Sequence, residues 1–346
     1  MIRTAIVSYG LSGKVFHGPL LKAHPGFEVS KILERHKKLS VTDFPNGIIV
    51  RSYGEILEDP LIDLVVVNTP DHLHYEMCRQ ALEAGKHVVV EKPFTLALQE
   101  AEQLIGLANE KQRLLTVFQN RRLDGDFMTV KKLIESGSLG HLVEYEAHFD
   151  RYRNFVKPNS WREEQSDTGV LYDLGAHMID QALVLFGMPE EVTAHLAVVR
   201  RGARMPDYYD LRLQYAWGAV ILKSSFLTRL QGPRYSLHGT DGSFLKWGID
   251  PQEELLRTGH LPDFGNWAEE SSEHWGKLLT EKNGIIFNGK IETLPGNYLL
   301  FYDNLFQTIA GNAHLMVDPK ESRNVLLIME AAKLSSAEKR TVMLNQ

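Results

Sequence analysis

Ser8-Tyr9-Gly10-Leu11-Ser12-Gly13 follows the apolar run 2–7 and opens onto a helix-length pattern. The spacing is that of the dinucleotide fingerprint G-x-G-x-x-G, with Ser8 in place of the first glycine. The two retained glycines have separate tasks. Gly10 lets the backbone approach a pyrophosphate, and Gly13 lets the helix pack close to the strand. The unpaired N–H groups and positive end of that helix would hold the anion. A glycine-rich turn without a ligand is the plain alternative. The place of the turn, after the first strand of a regular series, argues against it.

That series fills the first 120 residues. Short β-branched runs at 2–7, 29–33, 48–50, 64–68, 87–90 and 114–118 alternate with helical patterns. Leu73, Met77, Ala81 and Leu82 make one apolar stripe, with Gly85 as its C-cap, and Ala97, Ala101, Leu104, Ile105 and Ala108 make another. Strands alternating with helices imply βαβ units, a parallel sheet and right-handed crossovers.

From about residue 140 the rhythm changes to apolar–polar alternation, as in Val143, Tyr145, Ala147 and Phe149, in Val192, Ala194, Leu196 and Val198, and in Leu211, Leu213 and Tyr215. The runs 220–226 and 235–238 are similar. These read as one-sided antiparallel strands. A helix at about 170–186 interrupts them, the stretch 259–297 reads as an excursion from the sheet, and a last helix covers about 322–338. The expected architecture is α/β: residues 1–120 form a Rossmann dinucleotide-binding domain. Residues 121–346 form a substrate-binding and oligomerisation domain, an α/β domain with a large open, mostly antiparallel sheet. The last helix is expected to pack back on the first domain.

Composition narrows the class. The 346 residues are 43% hydrophobic with a net charge of −6, and Cys78 is the sole cysteine. One cysteine excludes a disulfide scaffold and a cysteine-based zinc site. The acidic balance argues against a nucleic-acid groove. No apolar run approaches the roughly 20 residues of a membrane span, and residues 1–8 read as a first strand rather than a signal peptide. The expectation is a cytoplasmic protein without nucleic-acid or membrane partners.

The acid that should bind the adenosine ribose falls on Glu34, at the end of the second strand. Arg35-His36-Lys37-Lys38 follow at once. Arg35 could pair with a 2′-phosphate, so NADP is the expected cofactor and NAD the alternative. Glu91-Lys92-Pro93 closes the strand 87–90, at the strand end that faces the ligand crevice of an open parallel sheet. There Lys92 can meet a hydroxyl or carbonyl oxygen. Asp173 and His177 stand at i, i+4 on the helix 170–186, apart from the buried stripe Leu171, Leu174, Met178, Ala182 and Leu185. A carboxylate one turn before a histidine orients the ring for general acid/base work. A routine surface pair is the plainer reading of these two alone. His72, His74, His87 and His177 show no metal-ligand spacing, so no metal is expected.

Taken together, Gly10-Leu11-Ser12-Gly13-Lys14-Val15-Phe16-His17, Thr69-Pro70-Asp71-His72-Leu73-His74, Glu91-Lys92-Pro93 and Leu171-Tyr172-Asp173-Leu174-Gly175-Ala176-His177 resemble the Gfo/Idh/MocA oxidoreductases. Gln119-Asn120-Arg121-Arg122, Phe149-Asp150-Arg151-Tyr152-Arg153 and Ser160-Trp161-Arg162 look closest to the subgroup containing NADP-linked scyllo-inositol dehydrogenase. The resemblance implies that Lys92, Asp173 and His177 match the family's catalytic residues. It implies cofactor contacts at Gly10, Leu11, Ser12, Gly13, Phe16, Glu34, Arg35, Thr69, Pro70, His74, Glu91 and Asn120. It further implies substrate contacts at Asn120, Arg121, Tyr152 and Trp161. Ser8 is the one departure from the fingerprint.

The expected function is hydride transfer between a nicotinamide and a secondary alcohol of a polyol or sugar. A dinucleotide-binding sensor without turnover, or family chemistry on a non-sugar substrate, is the alternative. An apolar open sheet face carrying Leu196, Val198, Leu211 and Leu213 is expected to drive homo-oligomerisation, as a dimer or higher.

Overall fold

The computed structural model describes residues 1–158, 163, 169–265 and 267–344. It divides into two compact units. The first comprises Met1–Asp124, Pro251–Ala268 and Pro295–Leu326, and the second Gly125–Asp250, Glu269–Leu294 and Leu327–Gln346.

The first unit carries six parallel strands: β1 (Ile2–Ile6), β2 (Phe27–Leu33), β3 (Ile48–Val50), β4 (Leu64–Val67), β5 (His87–Val90) and β6 (Leu115–Val117). Their order is β3-β2-β1-β4-β5-β6. The central strands need apolar residues at every position because helices cover both faces. Leu64, Val65, Val66 and Val67 are accordingly all fully buried, as are Val88, Val89 and Val90. The helices His74–Glu83 and Leu98–Lys111 lie close to the sequence expectation, and Gly85 ends the first of them with φ +72°. Strand order reverses at the β1–β4 pair, where the carboxyl ends of these strands open a crevice for a ligand.

The second unit holds nine strands among the described residues: β7 (Leu142–His148), β8 (Glu191–Ala197), β9 (Tyr208–Tyr215), β10 (Gly218–Ser225), β11 (Tyr235–Gly239), β12 (Gly242–Lys246), β13 (Gly276–Lys282), β14 (Ile285–Ile291) and β15 (Val342–Met343). They order as β14-β13-β12-β11-β7-β10-β9-β8-β15. Only β7 and β10 pair in parallel, so the sheet is mostly antiparallel.

Two expectations are corrected here. The stretch 259–297 is no excursion, since it contains the hairpin β13–β14 at one edge of the sheet. Its turn is Asn283-Gly284, both at positive φ, the Asn-Gly pair that two-residue hairpins favour. The expected apolar open face also loses two of its four members, while Leu196 is half-buried and Val198 exposed. Leu211 and Leu213 are completely buried. Their face is covered by the helix Ala176–Phe186, against which the Tyr209 hydroxyl contacts Met178 Sδ at 2.9 Å. The intervening positions are polar, and Lys223 there pairs with Glu146 at 3.4 Å and Asp210 at 3.6 Å.

The last helix, Pro319–Glu338, begins earlier than expected. Its residues 319–326 belong to the first unit, where Glu321 pairs with Arg122 and Arg323 with Glu102, each at 2.6 Å. Residues 327–338 belong to the second unit.

Candidate active site

The phosphate turn is built around Ser8. Its N–H donates to Asn68 Oδ1 at 2.9 Å, and Asn68 Nδ2 donates to its carbonyl at 2.7 Å. This two-way clamp joins the ends of β1 and β4 and explains how the turn forms without its first glycine. Gly13 is indispensable to it: a Cβ there would lie 2.1 Å from the Ser8 carbonyl oxygen. A Cβ on Gly10 would meet only the Ser8 hydroxyl, at 3.5 Å, so Gly10 borders open space. The helix starts at Leu11, and the first backbone bond closing the turn is Lys14 N–H to Gly10 O. The N–H groups of Leu11, Ser12 and Gly13 precede that bond and have no intrahelical acceptor. This open cradle of donors fits a pyrophosphate.

Glu34 does not offer its carboxylate to a ribose. It is buried and accepts hydrogen bonds from Leu39 N–H (2.8 Å), Ser40 N–H (2.9 Å) and the Ser40 hydroxyl (2.6 Å). Burial opposes its charge, yet the bonds from Ser40 and Leu39, with Arg51 nearby, outweigh it and keep its pKa below the ordinary value. Glu34 thus shapes the loop after β2, and that loop leaves Arg35, His36, Lys37 and Lys38 exposed. The acid is internal and the basic run is available.

Other residues gather at the carboxyl ends of β4, β5 and β6. Thr69 and Pro70 are half-buried. His74 is buried, with Nδ1 2.8 Å from the Pro93 carbonyl and Nε2 2.9 Å from the Thr69 carbonyl. It ties the turn after β4 to the turn carrying Lys92. Lys92 is half-buried, and Glu91 beside it bonds to Ser12 and His17. The half-buried Phe16 ring lies against Phe118 and Tyr298, with centroids 6.5 and 6.3 Å away.

Asn120 is buried. The Gln119 side-chain amide oxygen and the Thr69 hydroxyl are buried polar atoms without a hydrogen-bond partner among the described residues. Orphaned polar atoms at the ligand end of a sheet fit an amide-bearing ring. Gln119 was absent from the expected site, although it stands directly before Asn120. Arg121, expected to contact substrate, is instead committed internally. Its buried guanidinium pairs with Asp124 at 3.1 Å and Glu253 at 2.7 Å, and Asp124 also accepts from the Tyr298 hydroxyl.

In the second unit, Asp173 lies in a single π-helical turn, Leu171–Gly175, that leads into the helix Ala176–Phe186. Asp173 is half-buried and His177 buried. The first two turns of the helix are buried on every side, since 176–182 are all buried, whereas Leu185 of the expected stripe is half-buried. His177 is therefore buried, while Asp173 keeps part of its surface. The chain has a second π turn, Gly13–His17, directly after the phosphate turn. Such turns recur at functional sites because they push one residue out of helical register. Tyr152 is exposed and held by Arg229, which donates to its hydroxyl at 2.7 Å and covers its ring at 4.3 Å. Trp161 lies outside the described residues.

The fold has known relatives. Residues 2–119 match the oxidoreductase family GFO_IDH_MocA, NAD-binding Rossmann fold, and residues 131–344 match its C-terminal alpha/beta domain. The chain belongs to the Gfo/Idh/MocA oxidoreductase family. It is 45% identical to scyllo-inositol 2-dehydrogenase (NADP(+)) IolW of Bacillus subtilis, across 99% of this chain and 96% of that protein. The Escherichia coli oxidoreductase YdgJ, itself uncharacterized, is 37% identical over 99% of each chain. Among solved structures, the Bacillus subtilis protein yvaA superposes with a TM-score of 0.96 at 44% identity, covering 100% of this chain and 99% of that one. A Bacillus cereus oxidoreductase gives 0.91 at 31%, covering 100% and 99%. As a Gfo/Idh/MocA member the protein is an enzyme, an oxidoreductase whose first unit is an NAD-binding Rossmann domain. Among the described residues no helix is long and apolar enough to cross a membrane.

Proposed function

We propose that this enzyme is an NADP-linked dehydrogenase that oxidises a secondary alcohol of an inositol-like polyol or sugar. The observation that carries the cofactor choice is the internal commitment of Glu34 beside an exposed Arg35. The ribose-binding acid of NAD sites is occupied, while a guanidinium suited to a 2′-phosphate is available. The likeness to a scyllo-inositol 2-dehydrogenase (NADP(+)) supports both cofactor and substrate class.

When bound, the nicotinamide supplies the hydride acceptor. The chain's own groups handle the proton and the oxygen. His177 takes the hydroxyl proton, Asp173 orients the His177 ring, and Lys92 donates to the oxygen as its charge develops. Asn120 and Tyr152 serve a hydroxyl-rich ligand. Trp161 is proposed with them on the resemblance alone.

The test is initial-rate measurement with both dinucleotides against inositols, aldoses and sugar acids. NADP reduction with an inositol or sugar, at higher kcat/KM than NAD reduction, is expected. No reduced nicotinamide with any of them would refute the reading.

The proposal includes a homo-oligomer, a dimer first. With Leu211 and Leu213 covered internally, its support passes to the apolar side chains left in water on the edge hairpin, where Ile285 is 75% and Ile286 66% exposed. A monomer by light scattering at micromolar concentration would contradict it.

A further inference from the structure

The loop after β2 exposes Arg35, His36, Lys37 and Lys38 on a main chain that is held at several points. The Glu34 carboxylate caps Leu39 and Ser40. Arg51, directly after β3, donates from one guanidinium nitrogen to the Glu34 carbonyl and, at 2.9 Å, to the Lys37 carbonyl. Past the short turn Leu39–Val41, the N–H groups of Asp43 and Phe44 both donate to the Ser40 carbonyl, at 3.1 and 2.8 Å. The side chains reach into water while the backbone that bears them is fixed.

One more hold comes from the phosphate turn itself. Tyr9 lies between Ser8 and Gly10, where the fingerprint makes no demand on the side chain. Its own is nevertheless buried, and its hydroxyl donates to Asp43 Oδ2 at 2.7 Å. A hydroxyl bonded to a carboxylate is a charge-assisted link, short and directional. The Tyr9 ring meets Phe44 edge-on, with centroids 6.1 Å apart. Gly18 leaves room for both: a Cβ there would lie 3.3 Å from the Tyr9 hydroxyl and 3.4 Å from the Phe44 ring. A single side chain thus joins the turn that fits a pyrophosphate to the loop that carries Arg35.

We propose that Tyr9 and Asp43 are positioning residues for NADP selectivity: their hydrogen bond sets the separation between the phosphate turn and the cationic loop, so that a dinucleotide seated in the turn brings its 2′-phosphate to Arg35. The inference rests on the reading of Arg35 and NADP given under Proposed function. Both dinucleotides carry the pyrophosphate, and only NADP carries the second anion. A loop already held in place gives up less freedom on binding, and only the ligand that uses the loop gains from this.

The test is calorimetric titration of the full chain with NADP and with NAD, in wild type, Tyr9→Phe, Asp43→Ala and Asp43→Asn. Tyr9→Phe keeps the ring against Phe44 and removes the hydrogen bond. Asp43→Ala and Asp43→Asn remove the same charge, and only the second keeps an acceptor for the hydroxyl. NADP affinity should be about fivefold lower in Tyr9→Phe than in wild type, and about fivefold lower in Asp43→Ala than in Asp43→Asn. NAD affinity should be the same within each pair. Support of the turn alone would weaken both dinucleotides together, so an NADP-to-NAD affinity ratio unchanged in both comparisons overturns the proposal. Asp43 is half-buried, and its pair of variants keeps the test decisive if Tyr9→Phe does not fold. A wild type that binds NAD as tightly as NADP would refute the cofactor reading and this inference with it. A wild-type preference for NADP that survives every variant would remove only the link between Tyr9 and Asp43.

Discussion

Arg35 and Glu34 are adjacent in sequence and opposite in environment, and this decides what the end of β2 offers an adenosine ribose. The Glu34 carboxylate is used up by Leu39 and Ser40, whereas Arg35 is exposed. Arg35→Ala should therefore weaken NADP binding about tenfold or more, near 1.4 kcal/mol, and leave NAD binding nearly unchanged in a fluorescence titration. Equal loss for both would assign Arg35 to the solvated loop. Arg121 calls for a different measurement. Removing one partner of a buried ion pair leaves uncompensated charge, so Arg121→Met should cost about 3–5 kcal/mol in denaturant unfolding. Lost turnover with unchanged stability would return Arg121 to the substrate site.

At the scale of elements, the phosphate turn and the π turns do the positioning. Gly13→Ala places a methyl against the Ser8 carbonyl, and the strain should cost about 1–3 kcal/mol while abolishing dinucleotide binding. Near-normal binding would show that the turn relaxes. Much of this was legible beforehand. The strands of the first sheet follow from β-branched runs, and the turn follows from Gly10 and Gly13. The two π turns were not, since the i, i+4 spacing of Asp173 and His177 reads as an ordinary helix face. The hairpin β13–β14 was hidden because Ile285, Ile286 and Phe287 are exposed in succession, without the alternation that marks a half-buried strand. Only Asn283-Gly284 signalled it. Arg121 and Glu34 look like ligand contacts in sequence because their true partners, Glu253 and Ser40, are set by folding. Tyr302 reaches His17 from a segment far along the chain, and no local pattern announces that.

At the scale of the molecule, the first unit closes only when residues 251–268 and 295–326 return to it, which a single cut after residue 120 does not capture. Its stability should carry the signature of Glu91. Folding lowers that carboxyl from its ordinary 4.5 to about 2, a shift worth about 3 kcal/mol. A lowered acid stabilises the fold above its unfolded pKa and withdraws that support as pH falls through the folded one. The loss should therefore run between pH 4.5 and 2 and be smaller in Glu91→Gln, measured by urea unfolding across pH. An identical acid profile in the variant would contradict this. We propose that Lys92, Asp173 and His177 act in one oxidation. It is tested most directly by following NADP reduction with scyllo-inositol in wild type and Lys92→Ala, alongside NADP binding to each. Turnover is expected in wild type, with a loss of about a hundredfold to a thousandfold in kcat for the variant and unchanged NADP affinity. Equal turnover by the two proteins would contradict it.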